Sequence, residues 1–184
     1  IQRKGQILKL ITALKQVCNH PYQFLKKGSD DPAISGKCAV LFSLLKQLLD
    51  KGEKALIFTQ YQEMGRLLAQ MIEEEFGTIA PFLHGGVSRE GRDEMVEGFQ
   101  NNRTTRILIL SLKAGGTGLN LTAASNVIHY DLWWNPAVEQ QAIDRSHRIG
   151  QTQQVFAYKA EKQFKVKPSL LYFLLVFTFT NYFR

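Results

Sequence analysis

Two cysteines, Cys18 and Cys38, are all that this chain of 184 residues contains. That is too few for a disulfide framework, and reduced structural thiols in an intracellular protein are the expectation. Cys18-Asn19-His20 has no second ligand pair near it, and nothing around His84, His129 or His147 has metal-ligand spacing. No metal site is therefore expected. A phosphate-binding loop of the form Gly, four residues, Gly-Lys, then Ser or Thr is also missing. Ser35-Gly36-Lys37 imitates its end, but position 31 is Asp31 and position 38 is Cys38. No secretory leader is read at the start, where Arg3, Lys4 and Lys9 punctuate an amphipathic stretch. The one long apolar run, 169–184, is short of the ~20 residues of a comfortable membrane span, so no membrane association is expected. Acidic residues are outnumbered 16 to 23, and the net charge of +7 suggests an anionic partner, nucleic acid first. Simple solubility would produce the same charge.

What is present is an ordinary globular composition, 45% hydrophobic, enough for one good core and a small appendage. Ile7, Leu10, Ile11, Leu14 and Val17 recur at helical spacing until Pro21. Lys26 to Pro32 is polar and turn-rich, a flexible connector by composition. Ser35 then caps a helix over Lys37–Asp50 that ends at Gly52. From Lys54 onward strand and helix alternate. Ala55–Phe58 is a buried strand; Met64, Leu67, Leu68, Met71 and Ile72 form the inner stripe of the next helix; Ile79–Leu83 is a shorter strand. Gly85-Gly86 turns the chain and Ser88 caps a helix that packs Met95, Val96 and Phe99. Strands at Ile107–Leu110, Asn126–Tyr130 and Val155–Tyr158 complete a parallel sheet, the last of them at an edge.

The most informative stretch is Ile107–Gln151. Its first strand is followed by a loop bearing Gly115, Gly116 and Gly118, at the end of the sheet where open α/β folds place ligands. Glycines let the backbone turn and let a phosphate approach bare N–H groups. After the second strand comes Asp131-Leu-Trp-Trp-Asn-Pro136, with Pro136 in the first turn of a helix and Asn135 as its cap. Continued at helical spacing, that helix places Gln141, Asp144, Arg145 and Arg148 on one face, two arginines forming a fork for anionic oxygens.

Ala114-Gly-Gly-Thr-Gly-Leu-Asn-Leu121, Asp131-Leu-Trp-Trp-Asn-Pro136 and Gln141-Ala-Ile-Asp-Arg-Ser-His-Arg-Ile-Gly-Gln151 closely resemble the last motifs of the Swi/Snf-type remodelling ATPases, helicase-like translocases of duplex DNA. Lys54–Tyr61 and His84–Arg92 resemble that family's preceding motifs, and Leu14–Pro21 resembles the segment entering its second lobe. The likeness runs from about Ile7 to Tyr158. It implies an α/β, RecA-like parallel sheet flanked by helices: the C-terminal lobe of a P-loop NTPase-like helicase, lacking the P-loop itself. The organisation expected is a helical entry segment and connector over 1–34, the lobe over 35–160, and an atypical apolar tail over 161–184.

The same resemblance implies roles. Arg145 and Arg148 would be catalytic, reaching the γ-phosphate of ATP; a positioned arginine can be worth ~10³–10⁵ in rate. Surface arginines paired with Asp144 and Glu139 are the alternative. Gln141, Asn120 and Gly118 would contact the nucleotide, although Asn120 stands where many relatives carry an acid and could equally be a turn residue. Thr59, Gln60, Gly86, Ser88, Ser111, Gly116 and Thr117 would offer hydroxyl and N–H donors to DNA phosphates, with helix capping as the competing use. Trp134 would sit at the DNA groove, with packing beneath the following helix as the competing use, and Trp133 would belong to the core.

ATP and magnesium would be held mainly by an N-terminal RecA-like lobe, on the same chain or another, because no Walker-type loop exists here. The chain alone is expected to be inactive, as half of an ATP-hydrolysing translocase whose partners are double-stranded DNA and that first lobe, with DNA-bound proteins as further candidates. Its place would be the cytoplasm or nucleoid of a prokaryote, or the nucleus of a eukaryote. A truncated, non-catalytic DNA-binding remnant is the alternative. An unrelated dinucleotide enzyme is disfavoured, since Gly116-Thr-Gly118 is followed by Leu119-Asn-Leu121 rather than a third glycine. Beyond Lys159 the resemblance stops, and the aromatic run 169–184 suggests a disrupted reading frame.

Overall fold

The computed structural model describes residues 2–111, 114, 118–131, 136–147 and 151–160. In chain order the elements are α1 (Gln2–Asn19), α2 (Pro21–Leu25), a 3-10 turn at Pro32–Ile34, α3 (Gly36–Asp50), β1 (Ala55–Thr59), α4 (Gln62–Phe76) and β2 (Phe82–Leu83). They continue with α5 (Arg89–Asn101), β3 (Ile107–Ser111), β4 (Asn126–His129), α6 (Pro136–Ile143) and β5 (Phe156–Lys159). The strands form one parallel sheet in the order β2-β3-β1-β4-β5. Every residue of β1 and β3 is buried, which is why these strands read as unbroken aliphatic runs.

Alternate side chains divide between two cores. Ile57, Ile107, Ile109 and Ile128 face α3 and α4, joining Leu41, Leu45, Met64, Leu68 and Ile72. Leu56, Phe58, Leu108, Leu110 and Val127 face the other way, joining Phe99, Leu121 and Ala142. The period of two in a strand does this sorting. Each fully buried side chain of this size contributes roughly 1.5–3 kcal/mol.

Local chemistry sets the helix starts. Ser35 Oγ accepts from the Cys38 N–H at 3.2 Å, and Ser88 Oγ accepts from the Gly91 N–H at 3.1 Å. Pro21 does more than end α1: it opens α2, with His20 as the extended cap residue. His20 Nδ1 accepts from the Tyr22 N–H, so Nε2 carries the proton and donates to the Asp31 carbonyl at 3.1 Å.

Three sequence expectations change. The strand near Ile79 shrinks to Phe82–Leu83, leaving Ile79 68% exposed outside it; Gly65 lets that short strand approach α4, since a Cβ there would lie 2.3 Å from the Phe82 ring. The apolar stripe of α1 is not a core stripe throughout, because Ile7 and Leu10 are exposed while Ala13, beside the stripe, is buried. Finally, α6 ends at Ile143, and Arg145 and Ser146 take tighter i→i−3 bonds to Ala142 and Ile143. That winding is closer to 3 residues per turn than 3.6. Gln141 and Arg145 differ in exposure: Gln141 is exposed, and Arg145 retains only 6% of its surface. Among the described residues no helix is long and apolar enough to cross a membrane.

Candidate nucleotide and nucleic-acid interface

The carboxyl ends of β3, β1 and β4 lie side by side, with Thr59 level with Ser111 and Phe58 level with His129. Two residues past β4, the buried Asp131 collects the polar groups of this edge. Its Oδ2 accepts from Thr59 Oγ1 at 2.5 Å and from the Gln60 N–H at 2.9 Å, and its Oδ1 accepts from the Asn19 side-chain amide. Asn19 Oδ1 in turn accepts from Lys37 Nζ at 2.9 Å, and Lys37 also donates to the Tyr130 carbonyl at 3.3 Å. The Asn19 carbonyl, at the end of α1, takes the Tyr130 hydroxyl at 2.8 Å and the Ser35 hydroxyl at 2.5 Å.

Burial dominates the electrostatics of this cluster. It pushes the Lys37 ammonium pKa down, an effect the Asp131 carboxylate opposes. Burial likewise raises the Tyr130 phenol well above its ordinary value and raises the Cys38 thiol, whose Sγ lies 3.1 Å from the Tyr130 hydroxyl oxygen. Tyr61 is raised by burial and, secondarily, by Asp131.

A second seam joins the loop after β3 to the turn after α6. The Leu121 N–H donates to the Arg145 carbonyl at 3.0 Å. The Gln151 side-chain amide bonds the carbonyls of Thr122 (3.0 Å), Ala124 (2.9 Å) and Ser146 (3.2 Å). Gly118, in the left-handed region at φ 69°, and Asn120 are exposed beside that seam. The structure thus ties Leu121, next to the exposed Asn120, to the Arg145 backbone, while the Arg145 side chain lies buried.

The expected DNA-facing residues divide by exposure. Thr59 is fully buried and its hydroxyl donates to Asp131, so it supports the site from beneath and does not reach a phosphate in this arrangement. The Gln60 N–H is also committed to Asp131. Ser111 is 5% exposed and accepts from the Ala114 N–H at 3.3 Å. Gly86 is exposed but donates its N–H to His84 Nδ1 at 3.0 Å. The exposed Ser88 hydroxyl accepts its capping bond and keeps a proton to donate. Gly116, Thr117, Trp134 and Arg148 lie outside the described residues. Sequence reasoning missed Asp131 and Asn19 as organisers; the only signal was an acid directly after a buried strand. No group of three side chains able to hold a metal occurs among the described residues.

A five-stranded parallel sheet flanked by helices, with its polar network at the strands' carboxyl ends, defines an α/β lobe of RecA-like type. The chain belongs to the family described as the helicase conserved C-terminal domain, whose model matches residues 36–150. Over 161 residues it is 48% identical to YwqA of Bacillus subtilis (strain 168), provisionally named an ATP-dependent helicase/translocase. That match covers 86% of this chain and 17% of YwqA, so the chain spans less than a fifth of that relative's length. Among solved structures, the Sulfolobus solfataricus SWI2/SNF2 ATPase core in complex with dsDNA superposes with a TM-score of 0.76 at 43% identity, covering 86% of this chain and 33% of that one. The C-terminal domain of the Sulfolobus solfataricus SWI2/SNF2 ATPase gives 0.74 at 38% identity, covering 95% and 70%. The RecA-like expectation for the sheet is met, and this is a C-terminal helicase lobe of SWI2/SNF2 type.

Proposed function

We propose that this lobe is the second half of a DNA-dependent, SWI2/SNF2-type translocase of double-stranded DNA, closing an ATP site whose Walker loop and magnesium ligands lie in a first lobe. The observation that supports it best is the stitched seam, where Leu121 and Gln151 hold the Gly118–Asn120 loop against the turn carrying Arg145. Asn120 and Gln141 are exposed and suited to hydrogen-bond a nucleotide. Arg148 is the direct arginine finger of this reading. Arg145, buried under the loop, reaches phosphate only if lobe closure shifts its turn; otherwise it acts from beneath. Gln60, Gly86, Ser88, Ser111, Gly116, Thr117 and Trp134 line the DNA path. Such backbone contacts make binding sequence-tolerant and salt-sensitive.

The test mixes this chain with a separately prepared first lobe and measures DNA-stimulated ATP hydrolysis. Turnover is expected only in the mixture, and Arg148→Ala is expected to lower it about 10³-fold. Salt-sensitive DNA binding without turnover in any mixture would instead mark the chain as a non-catalytic DNA-binding remnant.

A further inference from the structure

Asn19 lies outside the stretch 36–150 matched by the family model, yet it reaches across 112 positions to the Asp131 carboxylate. It is 1% exposed and Asp131 is 4% exposed, so neither group has water to fall back on. The Asn19 amide is locked in one orientation. Its Nδ2 faces a carboxylate and its Oδ1 faces the Lys37 ammonium, and a flip would set oxygen against oxygen and donor against donor. Asp131 in turn holds the end of β1, through Thr59 and Gln60, and stands at the root of the segment leading into α6.

We propose that Asn19 is a positioning residue of the DNA-gripping edge: through Asp131 it sets the Gln60 backbone at the end of β1, making the entry helix part of the site. The exposed surface of α1 then has a mechanical connection to that edge, and displacing α1 withdraws one of the three donors that orient Asp131. This deepens the translocase reading and rests on it for its DNA consequence, although the clasp itself can be tested without it.

The experiment is amide hydrogen exchange on the full chain, followed at Gln60 and, as a fold control, at Ile57 and Ile109 in the paired central strands. Asn19→Ala and the near-isosteric Asn19→Leu, which fills the space without an amide donor, are each expected to lower protection at Gln60 about tenfold or more. Protection at Ile57 and Ile109 is expected to persist. If Asn19→Leu leaves Gln60 protected, packing rather than the hydrogen bond holds the edge and the proposal is overturned. Loss of protection at all three sites to the same extent in both variants would also overturn it, because Asn19 would then be a general stability residue. DNA affinity of the same proteins separates this idea from the reading beneath it. The variants should bind duplex several-fold more weakly with an unchanged salt slope, since no phosphate contact is removed. A wild-type chain that fails to bind DNA would refute the translocase reading, while the exchange result would still decide the clasp.

Discussion

The two ends of the sheet use polar side chains in opposite ways. At the amino ends of the strands, basic residues finish helices. Lys54 donates to the carbonyls of Phe99 and Asn102 at the end of α5, and Arg106 Nη1 donates to the Leu49 carbonyl at the end of α3, at 2.9 Å. The last carbonyls of a helix lack intrahelical donors, and a cation there meets both the orphan acceptors and the negative end of the dipole. At the carboxyl ends, an acid gathers donors from segments far apart in sequence. Part of the positive charge that suggests nucleic acid therefore serves architecture, at the amino ends of the strands. Net charge alone does not locate a binding surface.

The comparison predicts unequal consequences for the two kinds of polar group. Asp131→Ala strands the Thr59 hydroxyl, the Gln60 N–H and the Asn19 amide in a buried setting. With each buried orphan costing roughly 1–3 kcal/mol, a loss of about 3 kcal/mol or more is expected in urea unfolding. Lys54→Met keeps the alkyl stem and returns its carbonyl acceptors to water, because the Lys54 region is only partly buried. Its expected loss is about 1 kcal/mol. Equal losses from both substitutions would dissolve the distinction between an organising acid and a capping base.

How far the sequence discloses this structure follows the same division. β1 and β3 are legible because burial on both faces demands unbroken aliphatic residues, and α3 and α5 because Ser35 and Ser88, good capping residues, stand directly before the first helical residue. The turn after β3 is legible in Gly118, which takes the left-handed backbone that glycine favours. The burial of Arg145 is not, because extrapolating a 3.6 period past Ile143 assumes a helix that stops there. Nor is the partnership of Asn19 with Asp131: a hydrogen bond across 112 positions leaves no periodicity to read. The bond from Thr59 to Asp131 is hidden for a related reason, since a hydroxyl at a strand end serves a neighbour as readily as a ligand.

His129 sharpens the contrast from one side of Asp131. It is fully buried at the end of β4, stacked on Phe58 with ring centroids 6.0 Å apart, and neither ring nitrogen has a hydrogen-bond partner among the described residues. Burial lowers its pKa below the ordinary 6.5; Glu139 opposes this by raising it and Lys159 adds to the lowering. The sign follows from linkage. Below pH 6.5 the unfolded chain takes up a proton at His129 that the folded chain refuses, so stability falls as pH drops through that value and levels off once the folded group also protonates. In His129→Leu the slope of unfolding free energy against pH should be shallower than in the parent just below pH 6.5, and the same as in the parent above pH 7.5. Parallel profiles for the two proteins across that range would mean that His129 binds its proton equally well folded and unfolded. The carboxyl end of β4 would then tolerate charge one residue away from the network that Asp131 has to satisfy.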